Sequence, residues 1–201
     1  MKTIPQFRKR LALMAALGVA TLLGACIPSV NQFYADKDVV FDSNLVGKWQ
    51  VTDKADQPET WNFAAGDAKA YQLTVTDKDG KTGEFNAHLF QLKAERFLDL
   101  TPTQCNYATN QSDLVTMAMI PGHLLLRVSL SGKELKLAAC SYDWLEKYLK
   151  AHPEALGHRL VDNGLVLTAG TPELQKFVLA HLGPDELFGE PGVLVRQTGG
   201  Q

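Results

Sequence analysis

The chain has 201 residues, of which 45% are hydrophobic and 21% charged, and its 20 basic and 22 acidic side chains leave a formal net charge of −2. That length is enough to close one substantial core. Near-balanced charge, with no Lys/Arg cluster beyond residue 10, argues against nucleic acid or an anionic headgroup surface as the partner.

At the N-terminus Lys2, Arg8, Lys9 and Arg10 precede an uncharged apolar run over residues 11–23, and small residues Gly24 and Ala25 lead into Cys26. Basic, apolar and small-residue blocks in that order form an export signal. The apolar run of about 13 residues is shorter than the roughly 20 that a permanent spanning helix needs. Leu23-Gly24-Ala25-Cys26 closely resembles the lipobox of bacterial lipoproteins. The resemblance implies a signal peptide over residues 1–25, cleavage between Ala25 and Cys26, and acylation of the Cys26 thiol, for example with palmitate. Several acyl chains, each adding about 0.8 kcal/mol per buried CH2, hold such a terminus firmly in a membrane. An ordinary secretory signal with a chance cysteine, or an uncleaved anchor, are the other readings of the same residues. Ile27 stands where an aspartate would retain a lipoprotein in the inner membrane of enteric bacteria. A Gram-negative host therefore implies the periplasmic face of the outer membrane.

Residues 26–37 read as the acylated cysteine and a short tether, and residues 38–201 as a single domain of the cell envelope. Asp42 caps one helical turn, and Gly47-Lys48-Trp49-Gln50-Val51 begins the first strand. Phe41-Asp42 followed by Gly47-Lys48-Trp49 is similar to the opening of the lipocalins, in which the Trp closes one barrel end beneath an Arg from a late strand. The resemblance implies a plug role for Trp49 with Arg159 or Arg196 over it. The spacing is shorter than in that family, and its Thr-Asp-Tyr motif is missing.

Period-two alternation then dominates. Trp61 and Phe63 share one face, as do Tyr71, Leu73 and Val75, and Asp79-Gly80 predicts a two-residue type I′ hairpin turn. Phe85, Ala87 and Leu89 continue the pattern, and a phase shift near Phe90 predicts a bulge. Residues 96–101 form a short strand, and the polar stretch 101–113 is the longest loop, suited to recognition or to plain surface. Apolar segments 114–120 and 123–130 flank Pro121-Gly122, and Ser131-Gly132 turns the chain into a strand over 134–139.

A helix follows, with Asp143 and Glu146 spaced as a capping box and Pro153 as its stop. Asn163-Gly164 predicts another hairpin. A second helix opens at Thr171-Pro172-Glu173, carries Leu174, Phe177, Val178 and Leu182 on one face, and ends at Gly183-Pro184. Residues 193–195 are the last strand. The expected fold is mainly β, a β-rich α+β antiparallel meander that can close as a lipocalin-like barrel, with two helices packed on it.

Chemistry is sparse. Cys105 and Cys140 remain after Cys26, and an exporting compartment allows a disulfide between them; two separately buried thiols are the other reading. None of the five histidines has metal-ligand spacing and no Cys-x2-Cys occurs, so neither a metal nor a cofactor is expected. No Gly-x-Ser-x-Gly elbow is present, and Glu84, Glu95 and Asp99 read as solvated carboxylates. The expectation is therefore binding without catalysis. Trp61, Phe63, Tyr71, Phe85, Phe90 and Phe97 either line a cavity for one small apolar ligand or lipid, or fill a core. An interaction module for an envelope protein and a lipocalin-like carrier both fit. A hydrolase assembled from distant residues is the third option.

Overall fold

The computed structural model describes residues 27–52, 58–103, 121–161 and 164–197. Two 3-10 turns, Asp36–Asp38 and Ser43–Leu45, precede β1 (Gly47–Val51), β2 (Thr60–Ala65), β3 (Ala70–Thr76), β4 (Thr82–Leu92), β5 (Glu95–Pro102), β6 (Leu124–Ser131) and β7 (Glu134–Ala139). Then come α1 (Tyr142–Ala151), β8 (His158–Val161), β9 (Gly164–Leu167), α2 (Thr171–Ala180) and β10 (Gly192–Arg196).

The described residues form a closed eight-stranded antiparallel barrel in the order β1-β2-β3-β4-β5-β6-β7-β10, with β8 and β9 as a separate two-stranded sheet. The architecture is lipocalin-like in its meander and closure. It departs where α1, the β8–β9 hairpin and α2 are inserted before the closing strand. Among the described residues no helix is long and apolar enough to cross a membrane.

Alternation along each strand sends one set of side chains inward. Trp49 pairs with Trp61 and Trp61 with Val75, while Phe63 pairs with Leu73 and Leu73 with Phe85. These side chains join Tyr71, Leu89, Leu98, Leu126, Leu135, Leu137 and Leu194 in the barrel core. A second core lies outside the wall. Phe90, Phe97, Leu125 and Ala138 point away from the barrel and meet Leu145 and Leu149 of α1, Leu165 and Leu167 of β9, and Leu174, Phe177 and Val178 of α2.

Several local expectations change. No bulge occurs at Phe90: β4 pairs with β5 without interruption from Phe85 opposite Pro102 to Leu92 opposite Glu95. The apolar phase shifts there because the strand is buried on both faces, inward through Leu89 and outward through Phe90. Asp79-Gly80 is not a two-residue turn. Only Gly80 has positive φ (75°), Asp77 and Lys81 close the loop, and Asp77 Oδ1 accepts from the Asp79 and Lys81 amides at 2.9 Å each. That is the three-residue loop with a left-handed glycine. The cap of α1 is Ser141, whose side chain accepts from the Trp144 amide, and not Asp143, which falls in the first turn.

Residues 27–37 are not a loose tether. Ile27, Ser29 and Phe33 are buried, and Ser29 bridges β6 and β9. Its amide donates to His123 O at 2.9 Å and its carbonyl accepts from His123 N at 2.8 Å, while Leu167 N donates to Pro28 O and Val30 N to Leu167 O, both at 2.9 Å. The segment is a strap laid over the outer core. Gly122 permits it to pass, because a Cβ there would meet Pro28 Cβ at 2.9 Å.

Candidate functional site

One end of the barrel is sealed by the residues around the first strand. Asp42 accepts from the Asn44 amide at 3.0 Å and so holds the 3-10 turn, which sets Leu45 against Trp49. The Trp49 indole donates to Leu45 O at 2.8 Å. Arg196, adjacent to Trp49 in the β1–β10 register, lays its guanidinium 4.3 Å over the Trp49 ring and donates to Val46 O at 2.8 Å and to Asn44 O. Gly47 makes this approach feasible: it adopts φ +129°, and a Cβ there would stand 2.7 Å from Arg196 Nη1. Of the two arginines expected over Trp49, Arg196 takes the place. Arg159 is exposed on β8, outside the barrel.

Asp42 also accepts from Arg96 Nη1 at 2.9 Å, and Tyr71 Oη both accepts from the Asp42 amide at 2.7 Å and donates to Asp42 O at 3.1 Å. Burial opposes the charge on Asp42, but the Asn44 amide and the Arg96 guanidinium outweigh it and lower its pKa. Burial raises the pKa of the Tyr71 hydroxyl, which stays a neutral donor. The whole end is thus a closed polar lid over an apolar barrel.

Among the described residues the interior is packed. Side chains facing a ligand-sized void would present surface to it, yet Trp49, Tyr71, Leu98, Leu135, Leu137 and Leu194 are all 0% exposed. Of the aromatics expected to line a cavity, Trp61, Phe63, Tyr71 and Phe85 do face inward, where they pack on one another and on Leu73 and Val75. Phe90 and Phe97 do not. They stack on each other at 5.4 Å on the outer wall, and Phe97 continues to Phe188 at 5.8 Å. The even–odd alternation of β4 and β5 puts them there, opposite in phase to Leu89 and Leu98.

A buried polar cluster ties the strap to the outer wall. Asp99, read from sequence as a solvated strand carboxylate, is 0% exposed. Its Oδ2 accepts from the Phe33 amide at 2.8 Å, and its Oδ1 lies 2.7 Å from His123 Nδ1. Thr101 Oγ1 is 3.0 Å from the same His123 nitrogen. His88, adjacent to Asp99 in register, stacks under Tyr34 at 4.5 Å, and its Nδ1 is buried without a hydrogen-bond partner. Burial lowers the His88 pKa, and burial aided by the Asp99 charge raises that of Tyr34.

A carboxylate-oriented imidazole is also general-base geometry. Here, however, both side-chain hydrogen bonds of His123 among the described residues fall on Nδ1, while its backbone amide and carbonyl hold Ser29 of the strap. Among the described residues no three of His, Cys, Asp and Glu converge as a metal site requires. The sequence carried one signal for this cluster, a lone carboxylate inside the apolar run Phe97-Leu98-Asp99-Leu100.

An open concavity among the described residues lies elsewhere. A cleft of about 1040 Å³ lies between the outer face of β5–β7 and residues 182–191. Its floor holds Arg127, which grips Glu95 Oε2 through Nε at 2.9 Å and Nη2 at 2.8 Å, beside Ser129 and Lys136. Its wall carries Pro184, Phe188 and Pro191 with the carboxylates of Glu186 and Glu190. Apolar patches alternating with both signs of charge suit a polypeptide surface better than a hydrocarbon ligand. Nothing in the sequence pointed here, because the two walls are joined only through β10 and the α1–α2 insertion.

Cys140 is buried and its thiol donates to Leu125 O at 3.9 Å. Cys105 lies outside the described residues, and with it the proposed pairing. So do Ala25, Cys26, most of the expected recognition loop over 101–113, and the segment 114–120. No protein-family model, no curated protein and no solved structure matches this chain.

Proposed function

We propose that this chain is a cell-envelope lipoprotein, anchored through acylated Cys26, whose lipocalin-like domain binds a protein partner on its outer wall. The lipobox-like residues Leu23-Gly24-Ala25-Cys26 support the anchor. The observation that carries the binding mode is the contrast between a filled barrel and an open outer cleft of about 1040 Å³. Proline and phenylalanine beside paired and unpaired charges offer both the apolar anchor and the polar rim that protein interfaces use. A carrier of a small apolar ligand is the alternative. The barrel architecture favours it, and the packed interior opposes it.

The test begins with radiolabelled palmitate, which is expected to enter the wild-type chain and not Cys26→Ser. The full chain, purified from its own host after mild crosslinking, is then weighed by native mass spectrometry. An envelope protein retained by wild type and lost in Ser129→Trp, which blocks the cleft from an exposed outward position, supports the interaction reading. A co-purifying lipid that survives Ser129→Trp supports the carrier instead.

A further inference from the structure

We propose that the β8–β9 hairpin is a membrane-contacting element, held against the lipid surface beside the acyl anchor. The proposal rests on Cys26 being acylated, the reading given above, and it adds which face of the domain meets the bilayer.

The strap supplies the geometry. Residues 28–30 run parallel to the end of β9, with Ser29 bridged to Leu167 and with Pro28 and Val30 hydrogen-bonded to it on either side. Ile27 is buried in the same cluster as Leu165 and Leu167. Cys26 immediately precedes Ile27 in the sequence. With Ile27 docked on the domain, acylation of Cys26 would bring the surface beside Ile27 to the membrane. In register, Leu165 pairs with Leu160 and Gly164 with Val161. The outer edge of β8 is therefore about two strand spacings, roughly 10 Å, from the strap.

Among the described residues, that edge carries the two most exposed large hydrophobic side chains. Leu160 is 62% and Val161 54% exposed, and Val30, hydrogen-bonded to Leu167, is 43% exposed; the fourth large exposed hydrophobic among the described residues is Phe41. Leu160 and Val161 are consecutive on a strand, so they present apolar surface on both faces of the hairpin. Arg159 is exposed next to them and supplies a cation beside the apolar pair. An exposed apolar pair with a flanking cation is what an interfacial element uses, and insertion by 5–10 Å is the usual depth. The cleft lies toward the other end of the same wall. His123 meets the strap at the start of β6, whereas the cleft includes Ser129 and Leu130 near its finish. Four residues of strand, about 13 Å, separate His123 from Arg127, the β6 residue of the cleft floor nearest to it, so the cleft opens at a distance from the strap.

The experiment uses the full chain in membranes of its own host, metabolically labelled with radioactive fatty acid. A photoreactive benzophenone side chain replaces Leu160, or in a parallel strain Lys133 at the β6–β7 turn. Thermal melting confirms that both proteins are folded. The expected result is membrane fractionation of both, with about tenfold more lipid adduct at position 160 than at 133. Equal adducts, or transfer from position 160 to a second copy or another protein, overturn the hairpin proposal while the anchor stands. A chain that fractionates as soluble, with Cys26→Ser making no difference, overturns the anchor and this proposal with it.

Discussion

The barrel interior and the layer outside β4–β7 use the same kinds of side chain but gather them over different distances along the chain. The interior is built by consecutive hairpins, residues 45–139, and Leu194 alone arrives from afar. The outer core joins Ile27 and Phe33 to Phe90 and Phe97, and these to α1, β9 and α2. The interior has no buried polar or charged residue among those described, whereas Ser29 and Asp99, the two that occur, both belong to the outer layer. Local hairpins need only apolar fill and turn chemistry to find their register. A strap docking from a distance slides unless something pins it, and the hydrogen bonds from Ser29 and to Asp99 are that pin.

Three substitutions test the contrast. Trp49→Ala empties the largest fully buried side chain of the interior and strands Arg196 without its ring. It is expected to lower unfolding free energy by about 4 kcal/mol in urea titration, while hydrogen exchange of the strap amides keeps its order relative to the rest. Asp99→Ala is expected to cost about 3 kcal/mol, because it leaves the Phe33 amide and His123 without their buried partner. Its exchange pattern should invert, with residues 29–35 losing protection before the barrel does. Equal loss across both regions would show that the two cores unfold as one.

The smallest effect belongs to His88. Its folded pKa lies below the ordinary 6.5, so the unfolded chain binds the extra proton first. The neutral form's contribution is complete above 6.5 and fades as pH falls through the folded value. Wild-type stability should decline between pH 7 and pH 5. His88→Phe should flatten that part of the slope and, by removing a buried nitrogen with no hydrogen-bond partner, add up to about 1 kcal/mol at neutral pH. An unchanged slope would assign the acid sensitivity to another group.

Much of the barrel was legible because a half-buried strand writes its period into the sequence. Trp61 and Phe63, then Tyr71, Leu73 and Val75, gave the inward face directly. The same rule failed at Phe90 and Phe97, where the outer face is covered by segments distant in the chain, the strap before them and α1, β9 and α2 after them. Burial on both faces erases the alternation, and the shift then looks like a bulge. Gly47 and Trp49 were readable as a barrel end, although Arg196 could be separated from Arg159 only by the register of β10. The cleft and the Asp99 cluster were not legible. Both are products of the insertion and the strap folding back, and a single carboxylate in an apolar run does not announce what it binds.

Closure by β10 also decides when a newly made chain can become this molecule. Trp49 must wait for Arg196, and β7 for Gly192, so a polypeptide that lacks β10 is an open ribbon with two bare edges. Pairings that span nearly the whole length form slowly. A nonsense codon that removes β10 would deprive the entire wall of its seam.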